Sequence, residues 1–295
     1  MQDLAGLLAK MFIARTNVKA IQNPSGEYMP VQRCGECGRG FCNHESPKIR
    51  DGWKRADIDA HLAGVKTYGH YLLNTDNQCK LFAFDIDLDK PGLHPTLDPM
   101  PVPVYPHPYD AWNAKDEFTG KILEFNPREA WLDRAHPSRT WLKFQLRSVA
   151  HQFLRSIHND LGLPAACAYT GAKGLHVYGF TGLMSAKDVR EGAEIVLNSV
   201  GGLEAIKGDC FYRYQNQDPH EGQPNLTIEV FPKQDSLDGK DLGNLMRLPL
   251  GSNLKNAKDP TFFVDCTAAL NELRPIDPIH ALTTGSIHPF QALGE

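Results

Sequence analysis

The sequence predicts an α+β fold built around a largely antiparallel sheet. Several short segments have the apolar pattern of strands, one long segment repeats apolar residues at helical spacing, and the strands do not alternate strictly with helices. With 295 residues, of which 41% are hydrophobic and 22% charged, a disordered chain, a collagen-like fibre and a disulfide miniprotein are excluded. No apolar run reaches the roughly 18 residues of a membrane-spanning helix, so we expect no membrane partner.

The N-terminal third is predicted to hold two short helices and four strands. Asp3 is placed to cap a first helix, whose apolar side carries Leu4, Leu7, Leu8 and Met11. The next elements are two strands around the turn 23–26, a helix over 56–63 that ends at Gly64, and strands over 68–73 and 80–88.

Prolines interrupt the middle of the chain. Residues 91–108 hold seven of them, a density that leaves no place for a regular element. We therefore expect a surface insertion over about 90–127.

The second half is predicted to alternate less regularly. A helix over 141–161 carries Leu142, Leu146, Val149, Phe153, Ile157 and Leu161 on one face and ends at Gly162. The later elements are a strand, glycine turn and strand over 167–180, a helix from Ser185 to about Val200, a strand over 225–232, and a strand or loop over 242–251.

The charge balance alone does not indicate a nucleic-acid-binding protein, because the formal net charge is −4. Locally, the stretch 128–155 is rich in arginine, and it is either a path for a DNA backbone or a solvated helix face. The four tryptophans either stack on bases or anchor the core; they are Trp53, Trp112, Trp131 and Trp141.

Two aspartates stand side by side in the strand over 80–88. Residues i and i+2 of a strand point to the same face, so Asp85 and Asp87 project together while Ile86 faces the core. Neighbouring carboxylates repel each other, and a divalent cation with hard oxygen ligands relieves that repulsion. The alternative is a pair of solvated aspartates at a strand end.

A glycine-rich turn follows the long helix. In the segment 170–176, two glycines allow a close backbone approach to an anion, and Lys173 and His176 are able to donate to phosphate. The segment is not a Walker loop, because the Lys-Ser/Thr ending is missing and a strand follows. The alternative is an ordinary hairpin with a surface lysine.

Two further charged residues lie within apolar segments near the C-terminus. Glu229 is either exposed on a sheet face or part of a site, because burying an unpaired carboxylate is costly. Arg247 requires an anion or a carboxylate partner.

A zinc site is predicted between residues 34 and 44. The candidate ligands within these eleven residues are Cys34, Cys37, Cys42 and His44, which suit tetrahedral Zn²⁺. Because the second half is tighter than common zinc-finger spacings, His61 and Cys79 remain alternatives for the fourth ligand. The other cysteines, Cys167, Cys210 and Cys266, are predicted to be core residues with reduced thiols, typical of a cytoplasmic protein.

The order of these motifs resembles the archaeo-eukaryotic primase superfamily. That superfamily carries an Asp-x-Asp motif, a Ser-x-His-type motif often embedded in Ser-Gly-x-Lys-Gly-x-His, and a third acid on a strand. The segments GHYLL…KLFAFDID, IEVFPKQ and GNLMRLPL are most similar to the primase-polymerases of TOTE conflict systems and CRISPR-associated operons. The resemblance spans about residues 10–255.

The resemblance implies roles for individual residues. Asp85, Asp87 and Glu229 match the acids that hold two catalytic ions, Mg²⁺ or Mn²⁺. The residues that match nucleotide-binding positions are Thr170, Lys173, His176 and Arg247. It also implies an N-terminal α/β lobe packed on an RRM-like lobe, with the cleft between them. The small zinc knuckle predicted from the cysteine spacing is expected to have a structural role or to hold template or initiating nucleotide near that cleft.

The implied activity is that of a template-dependent DNA primase-polymerase, which starts and extends primers on single-stranded DNA from nucleoside triphosphates. Further partners would be helicase, nuclease or CRISPR adaptation proteins. The implied domains are an N-terminal segment over 1–66, a catalytic core over 67–255 and a C-terminal extension over 256–295 that leads on to further domains.

Three alternatives stand beside this interpretation. An end-joining polymerase of the same superfamily would need a primer and prefer a 5′-phosphate at a gap. A haloacid-dehalogenase-type phosphohydrolase would use the Asp-x-Asp pair, but the later Gly-Asp-Asp setting is missing. A non-catalytic zinc module that binds nucleic acid would not need Asp85, Asp87 and Glu229 together.

Overall fold

The computed structural model describes residues 3–40, 42–88, 100–104, 121–125, 133, 135, 138–214, 226–256, 260–268 and 272–284. Over these ranges helices and strands mix, and all the strand pairs are antiparallel. The predicted α+β class with antiparallel sheets is confirmed. None of the described helices is both long and apolar enough to cross a membrane.

The described ranges contain five helices and fifteen strands. The helices are α1 (Leu4–Phe12), α2 (Arg55–Leu62), α3 (Ser138–Leu161), α4 (Ala186–Val200) and α5 (Pro278–Thr284). The strands are β1 (Ala20–Gln22), β2 (Tyr28–Pro30), β3 (Gln32–Cys34), β4 (Lys48–Arg50), β5 (Tyr68–Tyr71), β6 (Gln78–Leu88), β7 (Met100–Val104), β8 (Lys121–Phe125), β9 (Ala165–Tyr169), β10 (Gly174–Ser185), β11 (Leu203–Lys207), β12 (Phe211–Tyr214), β13 (Leu226–Phe231), β14 (Leu245–Arg247) and β15 (Phe262–Phe263).

These strands form two main sheets. The smaller sheet has the order β14-β5-β1-β2, and the larger has the order β11-β12-β13-β6-β10-β9-β15. Strands β5 and β6 follow each other in the chain but lie in different sheets, so the chain crosses between the sheets there. The pairs β3–β4 and β7–β8 form two further two-stranded sheets.

The centre of the larger sheet is a β-α-β-β-α-β unit. In chain order it consists of β6, α3, β9, β10, α4 and β13, and in space the strands lie in the order β13-β6-β10-β9. Helices α3 and α4 pack together on one face of this sheet. The ring of Phe84 on β6 lies 4.4 Å from that of Phe153 on α3, so the even-numbered residues of β6 face the helices. Ile86 is buried on that face, and the odd-numbered residues face the other side.

Local sequence signals explain several element boundaries. The Ser185 hydroxyl accepts a hydrogen bond from the Asp188 amide and caps α4, as predicted. Asp3 occupies the N-cap position of α1, but its carboxylate pairs with Arg55 of α2 instead of capping the helix. The apolar side of α1 is centred on Ala5, Leu8 and Phe12, whereas the other predicted leucines are only partly buried.

The prediction that no regular element forms among the prolines is wrong for one segment. Strand β7 contains Pro101 and Pro103 and pairs with β8. The two prolines alternate along the strand, so both missing N–H groups fall on the same edge, a position in which proline is tolerated. Most of the predicted insertion, together with Trp112 and Trp131, lies outside the described residues.

The interpretation of the basic stretch as a DNA path or a solvated face is wrong for Arg147. Its side chain is fully buried and donates to Cys266 Sγ at 3.4 Å and to the carbonyls of Asp265 at 3.3 Å and Ala268 at 3.4 Å. Arg155, two turns further along α3, is exposed. Among the tryptophans that were predicted either to stack on bases or to anchor the core, Trp53 is partly buried against the core.

Candidate active site

The predicted acids come together on the face of the larger sheet that lies opposite α3 and α4. Strand β6 lies between β10 and β13, and its Asp85 stands opposite His176 on one side and Glu229 on the other. Residues directly opposite each other in an antiparallel pair share a face and lie within about 5.5 Å of each other. The registers therefore bring together three residues that are far apart in the sequence.

Each of the three carboxylates has a basic side chain beside it. Asp85 Oδ1 lies 3.3 Å from His176 Nε2, and Asp87 Oδ2 lies 2.8 Å from Lys173 Nζ. Glu229 pairs with Lys233, which follows the end of β13. The three carboxylates thus lie beside three basic side chains, which reduce the repulsion between the adjacent acids.

The pKa values of Asp85 and Asp87 are shifted in opposite directions. Burial acts to raise the pKa of Asp85, but the positive charges of His176, Arg247 and Lys173 hold it below its ordinary value. Burial and the neighbouring Asp85 charge raise the pKa of Asp87, despite Lys173. Asp87 is therefore the member of the pair that gains most from an added cation.

The glycine turn fixes the position of Lys173. The Thr170 hydroxyl donates to the Gly174 carbonyl at 3.1 Å, and Gly171 adopts a positive φ of 69°. The Lys173 ammonium also donates to the Leu88 carbonyl at 2.6 Å. The Thr170 side chain is buried, and its hydroxyl is used to close the turn. Its contact with a nucleotide stays a prediction.

Arg247 joins the two sheets at the site. It lies on β14 of the smaller sheet, and its Nη2 donates to the Thr170 carbonyl at 2.5 Å. The buried Asn253 side chain donates to the same carbonyl at 3.4 Å. The arginine predicted to need an anion is thus anchored on the glycine turn, close enough to Asp85 to lower its pKa.

The His176 ring is held from both sides. Its Nδ1 shares a hydrogen bond of 2.9 Å with the hydroxyl of the buried Tyr178, and its Nε2 faces Asp85. Tyr178 follows His176 by two residues on β10 and lies on the same face. The tyrosine hydroxyl thereby fixes the plane of the imidazole.

The four predicted zinc ligands also come together. The ligand atoms of Cys34, Cys37, Cys42 and His44 all lie within 4.8 Å of one another. The amide of Cys37 and the hydroxyl of Ser46 donate to Cys34 Sγ, each at 3.5 Å, and they lower the pKa of that thiol to about 5. Three sulfurs, one imidazole and a stabilised thiolate fit Zn²⁺.

Neither alternative fourth ligand is in place. His61 is buried, where its Nε2 bonds the Pro249 carbonyl at 3.0 Å and its Nδ1 accepts from the Tyr68 amide at 3.1 Å. Cys79 is fully buried in the main core. His44 therefore completes the cluster, and the other three cysteines are buried as predicted.

Sequence reasoning missed some residues that shape the site. It gave no role to Lys233, although the lysine stands four residues after Glu229 in the same quoted segment. It also missed Tyr178, for which the alternation along β10 was an available signal. The contact of Arg247 with the glycine turn had no sequence signal, because it depends on how the two sheets pack.

The carboxylates fit a hard divalent cation by their chemistry, since oxygen ligands are those that Mg²⁺ and Mn²⁺ prefer. Among the described residues, only the Cys34–His44 cluster gathers three or more ligand atoms around a single point. Asp85, Asp87 and Glu229 share a face, but each is turned toward its own cationic side chain. Binding a metal here requires these side chains to exchange partners.

Comparison with known proteins identifies the family. A family model described as "TOTE conflict system, Archaeo-Eukaryotic Primase domain" matches residues 5–282. No curated protein matches the chain. Among solved structures, the polymerase domain from Mycobacterium tuberculosis Ligase D in complex with DNA is similar at 13% identity and a TM-score of 0.42, covering 95% of this chain and 85% of that chain. Because the family model covers most of the sequence, the chain belongs to the archaeo-eukaryotic primase domains of TOTE conflict systems, a family of nucleotidyl-transferring primase-polymerases.

Proposed function

We propose that this protein is a template-dependent DNA primase-polymerase that starts and extends primers on single-stranded DNA. The observation that carries the proposal is the register of three strands, which sets Asp85 between His176 and Glu229. Asp87 lies two residues further along the same face, beside Lys173. This is a compact set of acids surrounded by bases, suited to a cation and a triphosphate.

Asp85, Asp87 and Glu229 are the residues proposed to hold two divalent ions, Mg²⁺ or Mn²⁺. When bound, such ions lower the pKa of the attacking 3′-hydroxyl and neutralise the leaving pyrophosphate. The raised pKa of Asp87 supports this role, because the site without a metal holds more negative charge than it stabilises.

Lys173, His176 and Arg247 are proposed to stabilise charge on the triphosphate. All three are fixed by other contacts: Lys173 by the Leu88 carbonyl, His176 by Tyr178 and Arg247 by the Thr170 carbonyl. Donors that are positioned before the substrate arrives cost little reorganisation during the reaction. Arg247 comes from the other sheet, so the nucleotide would lie where the two sheets meet.

Two structural assignments accompany the proposal. The β-α-β-β-α-β unit would be the RRM-like lobe that the resemblance implies, a reading supported by its strand order, and the smaller sheet would belong to the N-terminal lobe. Zinc at the cysteine cluster would be structural and would close the β3–β4 hairpin. Arg50 of that hairpin pairs with Asp241, in the loop between Glu229 and Arg247, which links the proposed zinc module to the site.

The test uses single-stranded circular DNA without a primer, labelled deoxynucleotides and Mg²⁺ or Mn²⁺, with products run on a denaturing gel. We expect short metal-dependent products from the wild-type protein and none from the Asp85→Ala, Asp87→Ala double variant. The matched control is Asp76→Ala, since Asp76 is an exposed aspartate in the turn just before β6. It should retain full activity.

The outcomes separate the alternatives. Products that appear only when a primer is supplied would overturn primer initiation and favour a polymerase that extends existing ends. A preference for a 5′-phosphate at a gap would favour the end-joining type. Full activity in the double aspartate variant would refute the assignment of the acids, and no incorporation under either condition would favour a binding module.

A further inference from the structure

Lys233 holds the third acid of the site. It follows β13 directly after Pro232, and its side chain turns back so that its ammonium pairs with the Glu229 carboxylate. Both side chains are mostly shielded from solvent, with 29% of Lys233 and 25% of Glu229 exposed. The pair is therefore screened less than an ordinary surface ion pair.

The surroundings of Lys233 fix it in this place. The ammonium lies 4.6 Å from the ring centre of Phe211 and 4.8 Å from that of Phe231, over the faces of both rings. Its backbone N–H donates to Asn244 Oδ1 at 2.7 Å, and its carbonyl accepts from Cys210 Sγ at 3.6 Å. These contacts at the main chain and at the ammonium hold the Lys233 side chain in a defined position beside Glu229.

A divalent cation and this ammonium compete for the same carboxylate. Two positive charges on one carboxylate repel each other, and a partly buried site weakens that repulsion less than water does. The ammonium therefore weakens metal binding at Glu229 for as long as it stays on the carboxylate.

We propose that Lys233 is a positioning residue that neutralises Glu229 while no divalent cation is bound and that the cation displaces when it enters. The inference deepens the proposed function and rests on the proposed metal role of Glu229. It predicts that the wild-type protein binds a divalent cation less tightly than a variant that lacks this ammonium. It also predicts that the effect acts only through the Glu229 carboxylate.

The experiment measures Mn²⁺ binding to zinc-loaded protein without nucleotide, by the electron paramagnetic resonance signal of free Mn²⁺. Lys233→Met removes the charge and keeps a side chain of similar length over the two rings. We expect it to bind Mn²⁺ about tenfold more tightly, which corresponds to about 1.4 kcal/mol. Lys233→Arg keeps the charge and should resemble the wild type.

Two controls isolate the carboxylate. In a Glu229→Gln background, Lys233→Met should leave Mn²⁺ affinity unchanged. Lys187→Met is the matched surface control, because Lys187 forms an i,i+4 pair with Glu191 at 4.0 Å on α4, with both side chains exposed. It should not alter Mn²⁺ binding. Circular dichroism and thermal melts confirm that each variant is folded.

The results distinguish this inference from the proposed function. If wild-type Mn²⁺ binding depends on Glu229 but Lys233→Met leaves it unchanged or weakens it, the inference fails and the metal role of the acids stands. If neither wild type nor Lys233→Met binds Mn²⁺, or if binding ignores Glu229→Gln, both fail. Tighter binding in Lys233→Met that vanishes with Glu229→Gln supports the inference, even in a protein that does not initiate primers.

Discussion

Gly174 lies directly opposite Asp87 in the antiparallel pair of β10 and β6. A Cβ atom at position 174 would overlap the Asp87 carboxylate and would lie 2.6 Å from the Ile86 carbonyl oxygen. Neither the strand backbone nor the ion-paired carboxylate is free to move aside. The glycine therefore makes room for the second aspartate of the site.

Gly174→Ala should for this reason displace Asp87 and reduce metal-dependent nucleotide incorporation by at least tenfold. The measurement is the initial rate of primer extension as Mn²⁺ is varied. Gly192→Ala is the control, since a Cβ there would make ordinary contacts with Phe82 at 3.7 Å and Leu161 at 3.8 Å. A Gly174→Ala protein as active as Gly192→Ala would show that the close approach has no functional role.

The hydroxyl of Tyr178 should matter only through His176. Tyr178→Phe keeps the buried ring and removes the partner of Nδ1, so the imidazole loses one of its two anchors. Partners that orient metal-ligating histidines are worth roughly 10-fold to 100-fold in activity. For His176, which is proposed to contact the triphosphate, we expect a loss at the lower end of that range, about tenfold in kcat/KM. Tyr212→Phe is the comparison, because Tyr212 is a half-buried tyrosine of β12 whose hydroxyl donates to the Asp209 carbonyl at 3.2 Å and not to His176. Equal kcat/KM values for the two variants would contradict this role.

The cysteine cluster should hold one zinc ion per chain. Elemental analysis of protein purified without chelator should show this stoichiometry in the wild type and its loss in Cys37→Ser and Cys42→Ser, both at exposed positions. Cys210→Ala should keep the metal, because Cys210 lies outside the cluster. Removal of zinc should lower the Tm, since the metal closes the β3–β4 hairpin. Wild-type protein with no zinc would refute the site.

Arg147 should be a stabilising residue of the core. Arg147→Leu removes the donor to Cys266 Sγ and the Ala268 carbonyl and one of the two donors to the Asp265 carbonyl, and we expect a loss of about 3 kcal/mol in the free energy of unfolding. Arg155→Leu, at an exposed position of the same helix, should change stability by less than about 0.5 kcal/mol. Urea denaturation measures both. Similar midpoints for the two variants would restore the solvated-face interpretation of this residue.

Asp265 should give the protein an acid-sensitive contribution to stability. Burial acts to raise the pKa of Asp265, but hydrogen bonds from Thr267 and the Arg274 guanidinium lower it from 3.8 to about 2. A carboxyl with a lower pKa in the folded state stabilises the fold above its unfolded pKa and loses that contribution as the pH falls toward the folded value. Because Arg274 is 58% exposed, solvent screens the ion pair, and we expect Asp265 to contribute about 1–2 kcal/mol to the free energy of unfolding at neutral pH.

Asp265→Asn should therefore destabilise the protein at pH 7, and its deficit against the wild type should shrink between about pH 4 and pH 2. Urea midpoints of both proteins across this range provide the measurement, with the exposed Asp76→Asn as a control whose small difference stays flat. A deficit that does not change with pH would place the effect of the substitution elsewhere.

Local signals predicted the elements that surround the site. The alternation around Asp85 predicted β6, the helical spacing from Leu142 predicted most of α3, and the turn near Gly171 predicted the pair β9–β10. The resemblance to archaeo-eukaryotic primases named the family that the family model matches. These predictions succeeded because each pattern lies within one element, where period and turn chemistry are local.

Weak or short elements escaped prediction. Strand β11 is mostly exposed, β12 has four half-buried residues and β15 has only two residues, so their apolar periodicity is faint. Strand β7 escaped because prolines at alternate positions are compatible with an edge although they disfavour a strand on average. In both cases the partner strand, which lies elsewhere in the chain, decides whether the segment pairs.

The sequence by itself determined which chemical groups the protein carries: two aspartates at strand spacing, a glycine turn with Lys173, and four soft ligands within eleven residues. Only the tertiary structure decided which groups meet. It placed Glu229 opposite Asp85, brought Arg247 across from the other sheet, chose His44 over His61, and buried Arg147. The physical reason is that strand register and sheet packing are set by long-range pairing and burial, which the spacing of residues along one segment does not encode.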